Sequence, residues 1–204
     1  LSQRSLTDLP HDHGDACPSL LWWRASGCLA FIVDCKPLAD VICGGVPLNA
    51  PNLTAAFERM MSNRFKLLKS GWTSHRRIAD PVVWHRRERN KIADFLVNYT
   101  MDVEHDWSYQ YELSIPEFVA QEANFVCHSD GGTRGESCSA SAWFLEAVVV
   151  HEGLRHTVPL AMCGKYLSEP VSSFLAETIA LDEAITFLTN FMFRNTRCKR
   201  AREE

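Results

Sequence analysis

Apolar residues change their spacing several times along this chain, and each change marks an element. From Gly27 to Asp34 (GCLAFIVD) they run almost unbroken, the pattern of a short strand buried on both faces. Between Cys35 and Cys43, Leu38, Val41 and Ile42 fall on one helical face, which Gly44-Gly45 closes. A longer helix is predicted over 53–68, where Leu53, Ala56, Phe57, Met60, Met61, Phe65 and Leu68 recur at helical spacing. Pro81 to Trp84 reads as a short strand, and Arg89 to Met101 as a helix with Ile92, Ala93, Leu96 and Val97 turned inward. Three more strands are predicted at 124–130, 139–150 and 156–167, the last two joined by Glu152-Gly153. A long helix follows over 172–193, with Ser172 or Ser173 as its N-cap.

Five strands interleaved with helices make an α/β chain: a layered fold with a mixed five-stranded sheet flanked by helices. Its organisation reads as a polar lead-in (1–24), a first half (25–102), a connector (103–121), a second half (122–194) and a charged, fraying tail (195–204). The connector is acidic and aromatic and is interrupted by Pro116; Trp107, Tyr109 and Tyr111 are expected to fold back onto the body. In the lead-in, His11-Asp12-His13 reads as a solvated polar run, not a metal site.

Composition narrows the class. With 204 residues, 46% hydrophobic and 23% charged, the chain falls in the globular range and has ample material for a core. No apolar run approaches the ~18–20 residues of a membrane-spanning helix, and no secretory leader pattern is visible. The expectation is an intracellular protein, cytoplasmic or nuclear, with no membrane partner. The chain opens on Leu1, which fits a piece of a longer protein. Its eight cysteines form no C-x-x-C pair, so reduced thiols are expected in place of a zinc cluster or a disulfide framework. A net charge of −4 provides no overall attraction to a polyanion and leaves only local basic patches, at His75-Arg76-Arg77 and His85-Arg86-Arg87-x-Arg89-x-Lys91.

Candidate chemistry concentrates in four places. Cys127-His128-Ser129-Asp130-Gly131-Gly132-Thr133-Arg134 sets an aspartate at the end of an apolar strand, followed by two glycines. Ala176-Glu177-x-x-Ala180-Leu181-x-x-Ala184-Ile185 places a glutamate early in the last helix. Phe31-Ile32-Val33-Asp34 ends the first strand on an acid, and Arg87-Glu88-Arg89-Asn90-Lys91-Ile92-Ala93-Asp94 sets another on a helix. Carboxylates fixed at strand ends and on adjoining helices are what a metal-dependent phosphodiesterase needs.

These motifs resemble those of type 1 ribonuclease H, in its retroelement and plant-type form, over roughly 28–102 and 123–193. The second half is similar to the family's opening, and the first half, with its R-E-x-N-x-x-A-D run, to the family's ending. The order is exchanged, as in a circular permutant or a fragment of a tandem array. The resemblance implies an endonuclease cutting the RNA strand of RNA–DNA hybrids. Asp34, Asp94, Asp130 and Glu177 would be its catalytic residues and metal ligands, holding two Mg²⁺ or Mn²⁺ ions. It implies nucleic-acid contacts from Gly131, Gly132, Thr133, Arg134, Arg87 and Asn90. The family's auxiliary histidine falls in this register on Trp84; His85, one residue later, and His75 are the candidates, and the role stays open.

If the halves close into one fold, strand 28–34 must lie parallel to and beside strand 123–130, so that their acids meet at the carboxyl ends. The connector's roughly twenty residues could reach ~65 Å extended, ample for closure. Two rival classes remain: a nucleic-acid-binding module that keeps the fold without turnover, and an inert fragment completed by flanking domains or by self-association.

Overall fold

A computed structural model describes residues 29–44, 47–48, 53–67, 82–111, 123–151 and 154–203. The lead-in, including His11-Asp12-His13, and the His75-Arg76-Arg77 patch lie outside these. The elements in chain order are β1 (Leu29–Val33), α1 (Lys36–Ile42), α2 (Thr54–Leu67), β2 (Val82–Trp84), a 3-10 turn (Arg87–Arg89), α3 (Lys91–Val103), β3 (Trp107–Gln110), β4 (Ala123–Arg134), β5 (Cys138–His151), β6 (Leu154–Leu167) and α4 (Ser173–Glu203).

All six strands form one mixed sheet in the order β2-β1-β4-β5-β6-β3. β1 runs parallel to both neighbours, with Leu29 opposite Phe125 and Ile32 opposite His128 on β4, as single-fold closure requires. β4, β5 and β6 form an antiparallel meander, with a bulge in the β5–β6 ladder between Leu145 and Glu146.

The expected five-stranded sheet gains a sixth strand from within the connector. Trp107, Ser108, Tyr109 and Gln110 pair antiparallel with Gly164, Cys163, Met162 and Ala161, covering what would otherwise be the open edge of β6. Acidic neighbours hid this short β-forming run in the sequence. The Trp107 indole N–H donates to Thr100 Oγ1 at 2.9 Å, and both groups fill the space left by the missing side chain of Gly164.

Helices cover both faces. On one, α1, α2 and α4 enclose a core of Phe31, Val33, Leu38, Met60, Phe125, Trp143, Leu145, Leu181, Ile185 and Leu188. On the other, Leu96, Val97 and Met101 of α3 pack against Ala140, Ala142 and Phe144 of β5. Ile92, predicted to face inward, is 46% exposed; the inward positions of α3 are Ala93, Leu96, Val97, Thr100 and Met101. α4 begins where predicted: Ser172 Oγ accepts the Leu175 N–H at 3.2 Å. It continues to Glu203, so most of the expected fraying tail is helical. That stretch holds no glycine or proline and is rich in good helix formers such as Arg, Lys and Glu.

α4 approaches β4 closely because its inner seam is small: Ala176, Ala180 and Ala184 are all buried. At its first turn the approach is backbone to backbone. A Cβ on Gly131 would stand inside the main chain of Ala176 and Glu177. Gly132, on the opposite face, would meet side chains alone, the Val97 Cγ1 methyl at 2.9 Å and Met101 Cε at 3.6 Å. Gly131→Ala should therefore destabilise the fold by about 3 kcal/mol or more, because backbone cannot move aside as a side chain does. Gly132→Ala should cost less, about 1–2 kcal/mol, because side chains can give where backbone cannot. Denaturant unfolding of the two variants checks the difference; equal losses would contradict the close backbone approach.

Candidate metal centre

Three elements deliver three carboxylates to one place. Asp34 follows the last residue of β1, Asp130 lies on the adjoining β4, and Glu177 stands just past the first turn of α4. β4 runs on to Arg134 instead of ending at the predicted 130, so Asp130 stands inside the strand and not at its end. Each of the three acids offers an oxygen, and these oxygens lie within 4.8 Å of one another. Asp130 and Glu177 are each only 5% exposed, while Asp34 is half-buried. The Gly131 N–H donates to Asp130 Oδ1 at 2.8 Å and so fixes that carboxylate. Glu177 Oε2 is buried with no hydrogen-bond partner.

Such a group is unstable if fully ionised. Burial raises the Asp130 carboxyl, and the Asp34 charge raises it further, against hydrogen bonds from Glu177 and the Gly131 amide. Glu177 is raised more strongly, first by burial and then by Asp130 and Asp34. The cluster therefore needs either shared protons or a cation. All its donors are carboxylate oxygens, which suit hard, oxygen-preferring ions such as Mg²⁺ or Mn²⁺ better than zinc. The orphaned Glu177 oxygen is where such an ion would relieve an unpaired buried acceptor.

Asp94, the fourth predicted ligand, is nearby but is not one of the three. It sits in the first turn of α3, close enough for its charge to raise the Asp130 carboxyl, and its Oδ1 is paired with Arg87 Nη2. Arg134, predicted to touch substrate, is exposed and paired with Asp102 at 2.7 Å; Thr133 is half-buried beside it. Gly131 and Gly132 leave room for helix α4 and for Val97, and the Gly131 amide is engaged by Asp130. Asn90 is fully buried: its amide donates to the Ser129 carbonyl at 2.9 Å, and its Oδ1 lies 3.3 Å from His128 Nδ1. Its observed contacts thus join the start of α3 to β4.

Two residues near the centre carry roles that spacing alone did not reveal. Trp84, at the position where the family's histidine was expected, donates its indole N–H to the Asp34 carbonyl at 2.9 Å and pins the turn that presents that acid. His128, two residues before Asp130, lies between Asn90 and Glu146, whose Oε1 is 3.6 Å from Nε2. A pattern of single polar residues on neighbouring strands gives no sign of such a chain until register is known. His85 donates its backbone N–H to the Val33 carbonyl at 2.9 Å and lines an open groove of about 480 Å³ with Trp84, Arg86, Glu88 and Arg89. Among the described residues, Cys35 beside Asp34, Cys127, Cys138 and Cys163 are thiols outside any disulfide.

No protein-family model, curated protein or solved structure matches this chain.

The carboxyl shifts fix a sign for pH dependence. Asp130 moves from 3.8 to about 7, and Glu177 moves further up from 4.5. Both bind a proton more tightly in the folded chain. Their stabilisation is therefore complete below the ordinary carboxyl range and is lost as pH rises through the folded values. Without divalent metal, Asp130→Asn should be more stable than the wild type above pH 7, by an amount on the order of a few kcal/mol, and should lose that advantage near pH 4. Thermal melts in chelator across this range measure it; a constant difference between the two chains would contradict the shared burial of these carboxyls.

Proposed function

We propose that this chain is a divalent-metal-dependent endonuclease of the ribonuclease H type, hydrolysing the RNA strand of RNA–DNA hybrids. The observation that carries the reading is the convergence of Asp34, Asp130 and Glu177 from both halves of the chain onto one place, where β1 ends beside β4 under the start of α4, with a buried Glu177 oxygen left unpaired. These residues stand in the motif contexts that resemble the family's acids, and Asp94 stands in the fourth.

In this reading the halves are exchanged in order but close within one chain. β1, β2 and α3 supply what resembles the family's ending; β4, β5, β6 and α4 supply what resembles its opening. Direct β1–β4 pairing supports closure within one chain over completion by a partner copy. Asp34, Asp130 and Glu177 would hold the first ion and Asp94 would help hold a second. Ions held there would supply an activated water and charge stabilisation at the leaving oxygen. The chain's own contribution is position: Trp84 pins Asp34, the Gly131 amide orients Asp130, and the Ala176 seam brings Glu177 to both. Arg86 and Arg89 in the groove, with Arg134 beyond the glycines, would hold phosphates of the backbone.

Purified chain should nick the RNA strand of a labelled hybrid only with Mg²⁺ or Mn²⁺ present. Asp130→Asn should lower the rate by more than about 100-fold, beyond what loss of a merely supporting group produces, while hybrid binding persists. Mg²⁺ should also raise the wild-type melting temperature through linkage, and Asp130→Asn should largely remove that rise. Hybrid binding with no cleavage under either ion would instead favour the binding-module reading.

A further inference from the structure

We propose that Arg87 is a built-in counter-ion, holding Asp94 out of the cation centre until a phosphate takes its guanidinium. The inference rests on the metal-dependent reading above and concerns the loading of its second ion.

Arg87 lies on the 3-10 turn that leads into α3, and Asp94 lies in the first turn of that helix. Arg87 Nη2 pairs with Asp94 Oδ1, so the fourth acid faces a cation of the chain itself. The other three carboxylates meet without it. The Arg87 side chain is 71% exposed and that of Asp94 31%, so the pair is open to solvent and to ligands. Arg87 also feels the charges of Asp34 and Asp130, which places it beside the same centre.

An exposed guanidinium–carboxylate pair is weak and readily exchanged. The planar guanidinium fork fits a phosphate as well as it fits a carboxylate. A cation approaching Asp94 meets this positive charge, and the two cannot both neutralise one carboxylate side. Among the described residues, no cation is paired directly with Asp34, Asp130 or Glu177, as Arg87 is with Asp94. One ion therefore loads readily, while the second waits for Arg87 to turn away. A backbone phosphate arriving at the groove supplies the alternative anion, which couples loading of the second ion to the presence of a polynucleotide.

The test counts bound Mn²⁺ by calorimetry and by electron paramagnetic resonance, without turnover. The proteins are the full wild-type chain, Arg87→Ala, Arg87→Gln and Arg87→Lys, each checked by thermal melt. The wild type should bind one Mn²⁺ at least about ten-fold more tightly than a second. Arg87→Ala and Arg87→Gln should tighten the second site by about ten-fold and leave the first unchanged, while Arg87→Lys, which keeps the charge, should resemble the wild type. A non-cleavable hybrid added to the wild type should tighten the second site as Arg87→Ala does. Two equal sites in the wild type, or a second site indifferent to Arg87, would overturn the counter-ion role and leave the metal-dependent reading standing. No bound Mn²⁺ in any chain would overturn both.

Discussion

The contact between Gly131 and the first turn of α4 sets the geometry of everything around it. Main chain meets main chain there, with no side chain to act as a cushion. Such closeness fixes the height and tilt of α4 above the sheet more tightly than side-chain interdigitation could, since side chains can change rotamer and backbone cannot. The alanine seam of Ala176, Ala180 and Ala184 continues the same approach along the helix. Glu177 thereby arrives beside Asp130 in a position it could not reach from a helix standing off on leucines. The charge problem of the centre is a consequence of this approach.

The opposite face is anchored in a different way. α3 meets the sheet through Leu96, Val97 and Met101, but its start is tied by a polar chain: the Asn90 amide on the Ser129 carbonyl, with His128 and Glu146 behind it. A fully buried amide with both ends engaged is directional in a way that apolar contact is not. It sets where the first turn of α3 begins, and so where Asp94 and Arg87 stand. The acids are thus held by three devices: close backbone approach for Glu177, an indole hydrogen bond for Asp34, and a buried amide for Asp94.

Much of this was legible in the residues. The unbroken apolar run before Asp34 and the alternation through 139–150 gave strands of the right kind, and the Asp-Gly-Gly and Ala-Glu motifs marked two of the three acids that meet. Other features were not. The strand at Trp107 was masked by its acidic surroundings and became a strand only because β6 offered an edge. Ile92 matched the helical period yet lies outside, because the face of α3 that meets the sheet is centred on Ala93, Leu96 and Val97. Gly131 and Gly132 look alike in sequence, and only alternation across β4 reveals that one meets backbone and the other side chains. The Arg87–Asp94 pair and the Trp84 indole bond depend on side-chain directions that spacing does not encode.

The pairing of β1 with β4 also bears on the order in which the fold is acquired. β4, β5 and β6 are joined in sequence through neighbouring ladders, so this meander can zip locally and early. β1 has no such neighbour: it pairs with β2 and β4, and the β4 partners of Leu29 and Ile32 come only in the second half of the chain. A ribosome making this chain would deliver a wholly apolar strand first and its central partner much later. Through that interval LAFIV is an unsatisfied, aggregation-prone segment, and Asp34 at its end is an ordinary hydrated carboxylate. The acidic centre is therefore the last thing this topology completes, and its electrostatic strain is incurred only when the rest of the sheet is already in place to hold it.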